Sequence, residues 1–257
     1  MSLRTWLVLS LTLSLLAVGP GHADALLRFI DSHDQPSEIL VKGPYARMDI
    51  TNGGTGRTGF MLFHAGERTL YMVDEASATY MLFDESVVDA QMQAMAQMIE
   101  QMREEIRQLP PEVRAELEAQ MGLGVRSEPV VIQTRATGRQ AESGGIPCEE
   151  KEILVGGRVQ SIACVADAGA LGLTPVDFNT VNELMGRLFD LSRRALEAGG
   201  PMARAMGPNV MPRLDGIPLE VRDLENAVTT RLVGLSTDTL SPELFRIPAS
   251  FREESPF

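Results

Sequence analysis

Short apolar runs separated by turn residues make up most of the first third of the chain. Several of them, such as Phe60-Met61-Leu62-Phe63, are apolar at every position instead of alternating with polar residues. Short connections between strand-like runs predict an antiparallel meander, and runs that are apolar on both sides predict that much of the second face is also covered. The predicted strands of this part are residues 26–31, 38–42, 45–51, 60–64, 69–73 and 79–83.

Apolar residues then recur at helical spacing. Residues 85–109 contain no glycine or proline, which favours one uninterrupted helix. A second, shorter helix is predicted at residues 111–121 and a third at residues 174–198, where Gly199-Gly200 is expected to end it. The apolar stripe of the first helix consists of Met92, Met95, Ile99, Met102 and Ile106.

Strand-like runs return after the second helix and again after the third. A last apolar piece at residues 244–251 precedes a polar tail at residues 252–257. This order of elements predicts a single α+β domain at residues 26–251, built on an antiparallel sheet of about ten strands with two helical insertions lying on it. The later predicted strands are residues 129–137, the two halves of a hairpin around Gly156-Gly157, 218–224 and 229–235.

The amino terminus has the pattern of a secretory signal peptide. Arg4 is the only charged residue before an apolar run at residues 6–18, and Gly19-Pro20-Gly21 follows. Small residues then occur at cleavage spacing, so residues 1–25 are predicted to be a signal peptide cut after Ala23 or after Ala25. An uncleaved anchor is the alternative. With no cysteine near the cleavage site to carry a lipid, the mature chain is predicted to be periplasmic or secreted, with no stable membrane span.

Composition narrows the possible partners. Of the 257 residues, 44% are hydrophobic, which is typical of a globular protein. There are 23 Lys and Arg against 35 Asp and Glu, a formal net charge of −12. Binding to nucleic acid requires a basic surface that neutralises phosphates, so this acidity argues against a nucleic-acid partner.

The chain has only two cysteines, Cys148 and Cys164. In an oxidising compartment a disulfide between them is the default expectation. Side chains alternate between the faces of a strand, so a two-residue Gly156-Gly157 loop would leave the two sulfurs on opposite faces. We therefore expect Leu154 to pair with Arg158 across a three-residue loop at residues 155–157, which puts Cys148 directly opposite Cys164.

Four short segments carry a resemblance to a known family. They are residues 41–49 (VKGPYARMD), 145–148 (GIPC), 216–219 (GIPL) and 244–249 (LFRIPA). With them the chain resembles the periplasmic lipoprotein-carrier superfamily of LolA, LolB and the amino-terminal domain of RseB, and most of all an uncharacterised secreted family near it. The resemblance implies an unclosed half-barrel whose concave apolar face holds acyl chains under a helical lid. In the carriers an arginine on an early strand controls the lid, and Arg47 is the nearest match.

Methionines are concentrated in the first predicted helix. Met92, Met95, Met98 and Met102 follow one another at intervals of three, three and four residues, which places them on one broad face. Flexible thioether side chains adapt to irregular apolar partners, so these four residues are predicted to contact a ligand together with Leu62, Met72 and Arg47. Ordinary packing against the sheet is one alternative. Copper(I) binding is another, although neither His33 nor His64 lies near the four methionines.

No catalytic constellation can be assembled from the sequence. Residues 54–59 match Gly-x-Gly-x-x-Gly, but the apolar run after them is typical of a strand, whereas the nucleotide-binding motif opens a helix. There is no Gly-x-Ser-x-Gly, and few histidines are available as a base. We therefore expect a protein that is not an enzyme, with no catalytic residue, no metal and no cofactor.

Together these patterns predict an exported binding protein. Its predicted ligand is a lipid or lipoprotein acyl chain or a hydrophobic peptide, held in the half-barrel under the Met-rich helical lid. An envelope interaction or sensor module, with an interior filled by its own helices and an envelope protein as partner, is the alternative hypothesis. Copper(I) binding by the methionine cluster is the third.

Overall fold

The computed structural model describes residues 24–52, 56–120, 131–205 and 213–254. Of the predicted signal peptide, residues 1–25, residues 1–23 therefore lie outside the described residues. Six strands precede the first helix: β1 (Ala25–Asp31), β2 (Pro36–Lys42), β3 (Tyr45–Asn52), β4 (Gly56–His64), β5 (Thr69–Asp74) and β6 (Thr79–Leu82). The remaining six are β7 (Ile132–Ser143), β8 (Ile146–Val155), β9 (Arg158–Ala166), β10 (Ile217–Asp223), β11 (Thr229–Ser236) and β12 (Arg252–Glu253).

The helices separate these groups of strands. They are α1 (Glu85–Arg107), α2 (Pro111–Gln120), α3 (Ala168–Leu171) and α4 (Pro175–Ala205), and a 3₁₀ helix, Pro242–Phe245, lies near the end of the chain. Among the described residues, no helix has the combination of length and apolarity needed to cross a membrane.

All twelve strands of the described residues form one open sheet, in the order β12-β6-β5-β4-β3-β2-β1-β11-β10-β9-β8-β7. Every neighbouring pair is antiparallel except β12 and β6, which are parallel. The α+β class and the antiparallel meander are therefore confirmed, with twelve strands instead of about ten. The sheet also begins one residue before the predicted domain, at Ala25, and includes Arg252–Glu253 of the predicted tail.

The ends of the two long helices follow from local chemistry. The side chain of Asp84 accepts hydrogen bonds from the backbone N–H groups of Ser86 and Val87, which caps the start of α1. Gly199-Gly200 does not end α4, contrary to our expectation, and the helix continues to Ala205. Each glycine costs a helix only about 1 kcal/mol relative to alanine, and good helix formers flank the longer segment Gly199-Gly200-Pro201, in which Pro201 is the costliest residue.

The helix α4 covers one side of the sheet. Its side chains Val181, Leu184 and Leu191 are buried in a core cluster with Leu27 and Val41 of the first strands. The start of α4 also binds the β2–β3 turn. Gly43 N–H donates to Asp177 Oδ1 over 2.8 Å, and Thr180 Oγ1 donates to the Gly43 carbonyl over 2.7 Å.

The first helical insertion is placed differently from our expectation that it lies on the sheet. The helix α1 contacts α4 more than it contacts any strand, and Val88 and Met92 are its contributions to the main core cluster. It is therefore α4 that covers the strands, and α1 lies beside α4.

The cysteine hairpin contains the predicted disulfide in a different register. Cys148 and Cys164 are bonded, with their Cα atoms 5.4 Å apart. However, Val155 pairs with Arg158, so the loop has two residues, Gly156 and Gly157, whose positive φ values of 57° and 81° suit a tight hairpin turn. The predicted three-residue loop is therefore wrong. One extra residue, Gln160, forms a bulge in β9 instead and returns both sulfurs to the same face.

Candidate functional site

The two faces of the sheet are covered by different parts of the chain. On β3 and β4, Ala46 and Phe63 belong to the core cluster that includes α4, and we call this side the helix face. Phe60 and Leu62 belong to a second cluster that includes Phe245. Because successive side chains alternate between faces, these residues lie on the opposite side of the same strands. We call that side the strap face and the segment that covers it, residues 240–251, the strap.

The strap contains the 3₁₀ helix Pro242–Phe245 and packs by its apolar side chains. Phe245 is buried against Leu40, Leu62 and Val73. Beyond the strap, the chain returns to the sheet as β12, where Arg252 N–H donates to the Ala78 carbonyl over 3.1 Å. The strap side chains that pack on this cluster while remaining partly exposed are Leu240, Leu244, Ile247 and Phe251.

Arg47 holds the middle of the strap. Its buried guanidinium donates through Nε to Asp49 Oδ1 over 2.7 Å and through Nη1 to the Leu244 carbonyl over 3.0 Å. The guanidinium carbon lies 3.7 Å from the centre of the Phe60 ring, in a cation–π contact. Arg47 therefore lies on the strap face and contacts the strap, while α1 and α4 lie on the other side of the sheet. It does not contact the Met-rich helix that we expected it to control.

Asp24 holds the beginning of the strap. Its side chain is 0% exposed and its Oδ2 accepts hydrogen bonds from Lys42 Nζ over 2.5 Å and from the Leu240 N–H over 2.6 Å. Its other oxygen, Oδ1, is buried and has no hydrogen-bond partner among the described residues. One carboxylate thus joins the start of β1, the end of β2 and the strap.

Two hollows open beside the strap and share Phe245 and Arg246 in their walls. The first has a volume of about 390 Å³ and the second of about 480 Å³, and both fall in the size range of small-molecule sites. The first hollow is also lined by Asp24, Lys42, Gly43, Pro44, Tyr45 and Pro242. The second is also lined by Leu62, Tyr71, Tyr80, Ile247, Pro248, Ala249 and Phe251.

A third hollow, of about 420 Å³, lies at the β5–β6 end of the sheet. Met72 lines it, together with Ile50, Met81 and Glu254. Met72 pairs with Met61 of β4, so its side chain points to the helix face, away from Leu62. The structure therefore brings Leu62 and Arg47 together on the strap face, and it separates Met72 from both.

The methionines of α1 line none of these three hollows. Met92 is partly buried against the core cluster, and Met102 is half-buried. Met98 is 51% exposed, so it does not share the buried side of the helix with Met92. The side chain of Met95 lies outside the described residues.

Two ion pairs connect α1 to α4. Glu85 accepts hydrogen bonds from both terminal nitrogens of Arg187, and the Nη2–Oε2 distance is 2.9 Å. Asp89 accepts two hydrogen bonds from Arg194, one from Nε over 2.5 Å and one from Nη2 over 2.6 Å. The hydrogen bonds from Arg187 lower the pKa of Glu85 from 4.5 to about 2. The Arg194 side chain likewise lowers the pKa of Asp89. Both carboxylates therefore stay charged at any ordinary pH, and these pairs bind the first insertion to the long helix.

The glycine motif and the histidines form no reaction centre in the described residues. Gly56 and Gly59 belong to β4, and the apolar run after them continues this strand as predicted, while Gly54 lies outside the described residues. A side chain at Gly59 would meet the Val73 carbonyl oxygen at 2.0 Å, so the close approach of β5 requires glycine there. His64 stacks on Tyr45, with ring centres 4.6 Å apart. Within the described residues, no group of three or more His, Cys, Asp or Glu could hold a metal ion.

Sequence reasoning found the strap as an apolar piece but missed its role, and it missed Asp24 entirely. The available signal was the pattern of Leu244, Phe245, Ile247 and Phe251, which is too apolar for an exposed tail. Nothing in the local sequence pointed to Asp24. It lies between the two possible cleavage points, and its role depends on residues that are far away in sequence.

Comparison with known proteins assigns the chain to no family. No protein-family model and no curated protein matches it. Among solved structures, it is similar to an uncharacterized conserved protein from Thermus thermophilus, with 7% identity and a TM-score of 0.41, over 91% of this chain and 90% of that one. It is also similar to PNGF-II, with 6% identity and a TM-score of 0.40, over 90% of this chain but 31% of that one. Similarities this weak carry no argument about function.

Proposed function

We propose that this protein is an exported, non-enzymatic binding protein that holds an apolar ligand, either a lipid acyl chain or a hydrophobic peptide segment, between the strap and the sheet. The observation that carries this proposal is the pair of hollows that meet at Phe245 and Arg246. An acyl chain is also the ligand implied by the resemblance to lipoprotein carriers.

The wall of the second hollow includes apolar groups that such a ligand would contact. Leu62, Ile247 and Phe251 supply aliphatic and aromatic surface, and Tyr71 and Tyr80 stand edge-to-face with ring centres 6.1 Å apart. Apolar burial contributes about 25 cal/mol for each Å² removed from water, so a chain of several methylene groups would be held mainly by this term.

The strap is suited to admit a ligand because few bonds hold it. Arg47 and Asp24 bind its backbone at Leu244 and Leu240, and its own Phe245 side chain is buried in the cluster on the sheet. Segments held by few contacts open at low free-energy cost. Movement of the strap would widen both hollows without disturbing the core under α4.

Binding of cis-parinaric acid, a fatty acid whose fluorescence rises in apolar surroundings, tests this function. Ala249 is exposed and lines the second hollow, so Ala249→Trp should fill the hollow and weaken binding about tenfold, the loss of roughly 1.4 kcal/mol of apolar contact. Ser250→Trp is the matched control, since Ser250 is exposed and does not line the hollow. It should bind like the unaltered protein.

Three results would contradict the strap site. The first is equal binding by both tryptophan variants. The second is that Met92→Trp weakens binding while Ala249→Trp leaves it unchanged, which would place the ligand at the Met-rich helix. The third is no binding of the probe together with native mass spectra, taken after purification from exporting cells, that show neither lipid nor peptide on the protein.

One observation favours the alternative, an envelope interaction or sensor module. The side chains Val181 and Leu184 of α4 are almost fully buried against the strands, so the described core of the helix face is filled by the chain itself. Such a module would capture a defined envelope protein on crosslinking in the cell, and Ala249→Trp and Ser250→Trp would leave that capture unchanged.

A further inference from the structure

The first described residues decide between the two possible cleavage points. Ala25 is 0% exposed, pairs with Val41 across β1 and β2, and belongs to the main core cluster. Asp24 binds Lys42 and the Leu240 N–H through Oδ2. Both residues are therefore parts of the folded domain, although the sequence pattern alone would allow either to be removed.

Cleavage after Ala25 would remove these interactions together. Lys42 Nζ would lose its carboxylate, the Leu240 N–H would lose its acceptor, and the ladder between β1 and β2 would be one pair shorter. Both donors belong to partly exposed residues, so each loss removes the net gain of one hydrogen bond, and the larger loss is that of the paired charge of Lys42. Cleavage after Ala23 keeps every one of these contacts.

We infer that the chain is processed at the bond between Ala23 and Asp24, and that the new α-ammonium group of Asp24 pairs with the carboxylate of the same residue. The step is a hydrolysis by a peptidase of the export route. Water adds across the amide, the hydroxyl joins the Ala23 carbonyl carbon, and the Asp24 nitrogen leaves as an amine that takes up a proton at neutral pH. This inference goes beyond the proposed ligand; it rests on the proposed export of the chain but not on the identity of the ligand.

The unpartnered Oδ1 of Asp24 is the second observation that supports this processing site. The α-nitrogen and Oδ1 of one aspartate are only four bonds apart, and a gauche rotamer about Cα–Cβ brings a charged amine within reach of the carboxylate. Asp24 also lines the first hollow, which has a volume of about 390 Å³. A buried carboxylate is stabilised by paired charges and further hydrogen bonds, and the new amine supplies both.

The direct test is the intact mass and amino-terminal sequence of the exported protein. The full chain, with its own first 23 residues, is expressed in a bacterium with a general export route and purified from the periplasmic fraction. The expected product begins at Asp24. A product that begins at Leu26, or at any other residue, or that keeps residues 1–23, would overturn the inference.

The pairing of the new amine is tested by its reactivity with an amine-selective acylating reagent at neutral pH. In the folded product the α-amine should react about tenfold more slowly than in the unfolded product, because a paired amine must be released before it reacts. Equal rates would overturn the pairing. Asp24→Asn should raise the folded-state rate, whereas Asp215→Asn, at an exposed position, should leave it unchanged.

Discussion

The two faces of the sheet are closed in opposite ways. On the helix face, α4 presents a regular apolar stripe that packs side chain against side chain, and Leu184 is 1% exposed. On the strap face, an irregular segment is held by a few inserted rings and by the hydrogen bonds of Arg47 and Asp24, and hollows remain beside it. We therefore expect the helix face to contribute most of the stability and the strap to open more easily than α4.

The largest expected effect comes from the helix face. Leu184→Ala should lower the free energy of unfolding by about 3–4 kcal/mol, because it creates a cavity in a filled core. Chemical denaturation measures this loss. Val176→Ala, on the exposed side of the same helix, should change it by less than about 0.5 kcal/mol. A similar loss for both variants would contradict the assignment of stability to the helix face.

Loss of the disulfide should be the next largest effect. The bond joins Cys148 and Cys164, 16 residues apart, and replacing both by alanine should cost about 3 kcal/mol on the chain-entropy estimate. Denaturation of the variant and of the reduced unaltered protein should show the same loss. An unchanged midpoint in both would mean that the hairpin gains nothing from the crosslink.

The variant Arg47→Met should show most clearly whether the strap opens independently of the helix face. It removes buried charged hydrogen bonds to Asp49 and to the Leu244 carbonyl, so we expect a loss of about 2 kcal/mol. Amide hydrogen exchange should become faster in residues 240–251 while α4 stays protected. Arg135→Met, which removes an exposed ion pair on β7 away from the strap, is the control and should leave the exchange of the strap unchanged. Equal acceleration in α4 and the strap would show that the faces do not open independently.

The ion pair between Glu85 and Arg187 should have the smallest effect. Because the Glu85 side chain is about half exposed, Glu85→Gln should cost less than about 1 kcal/mol. Folding lowers the pKa of Glu85 from 4.5 to about 2, so the pair contributes fully above pH 4.5 and its contribution is lost as the pH falls toward 2.

Denaturation at several pH values checks this dependence on Glu85. The difference between the unaltered protein and Glu85→Gln should shrink steadily between pH 4.5 and pH 2. Glu112→Gln, at an exposed position on α2, should show no such trend. A difference that stayed constant over this range would contradict the pairing.

Most of the element boundaries follow from local patterns. The strands β1 to β6 and the helix α1 lie close to where apolar runs, turn residues and helical spacing predict them, because these signals act over a few residues. The partner of each element depends on contacts far apart in sequence. Nothing local indicates that α1 packs on α4, that Arg47 contacts Leu244, or that Asp24 reaches Leu240.

The errors in detail have the same origin. The sequence correctly predicted that Cys148 and Cys164 must lie on one face of the hairpin. Either a longer loop or a bulge can achieve this, and the structure has a bulge at Gln160. The continuation of α4 past Gly199-Gly200 is a second case. Local propensity is a weak prior that the rest of the fold overrides.

An open sheet has two ends at which the strands of another molecule can add. At one end β12 is only two residues long. At the other, β7 is twelve residues long, but its ladder with β8 shifts between Ala136 and Gln140 around Gly138, and Arg135 and Arg139 bind glutamates of β8. Bulges and charges are the devices by which natural proteins discourage edge-to-edge aggregation. A sheet of twelve strands can therefore form within one chain without its edges promoting assembly into fibres.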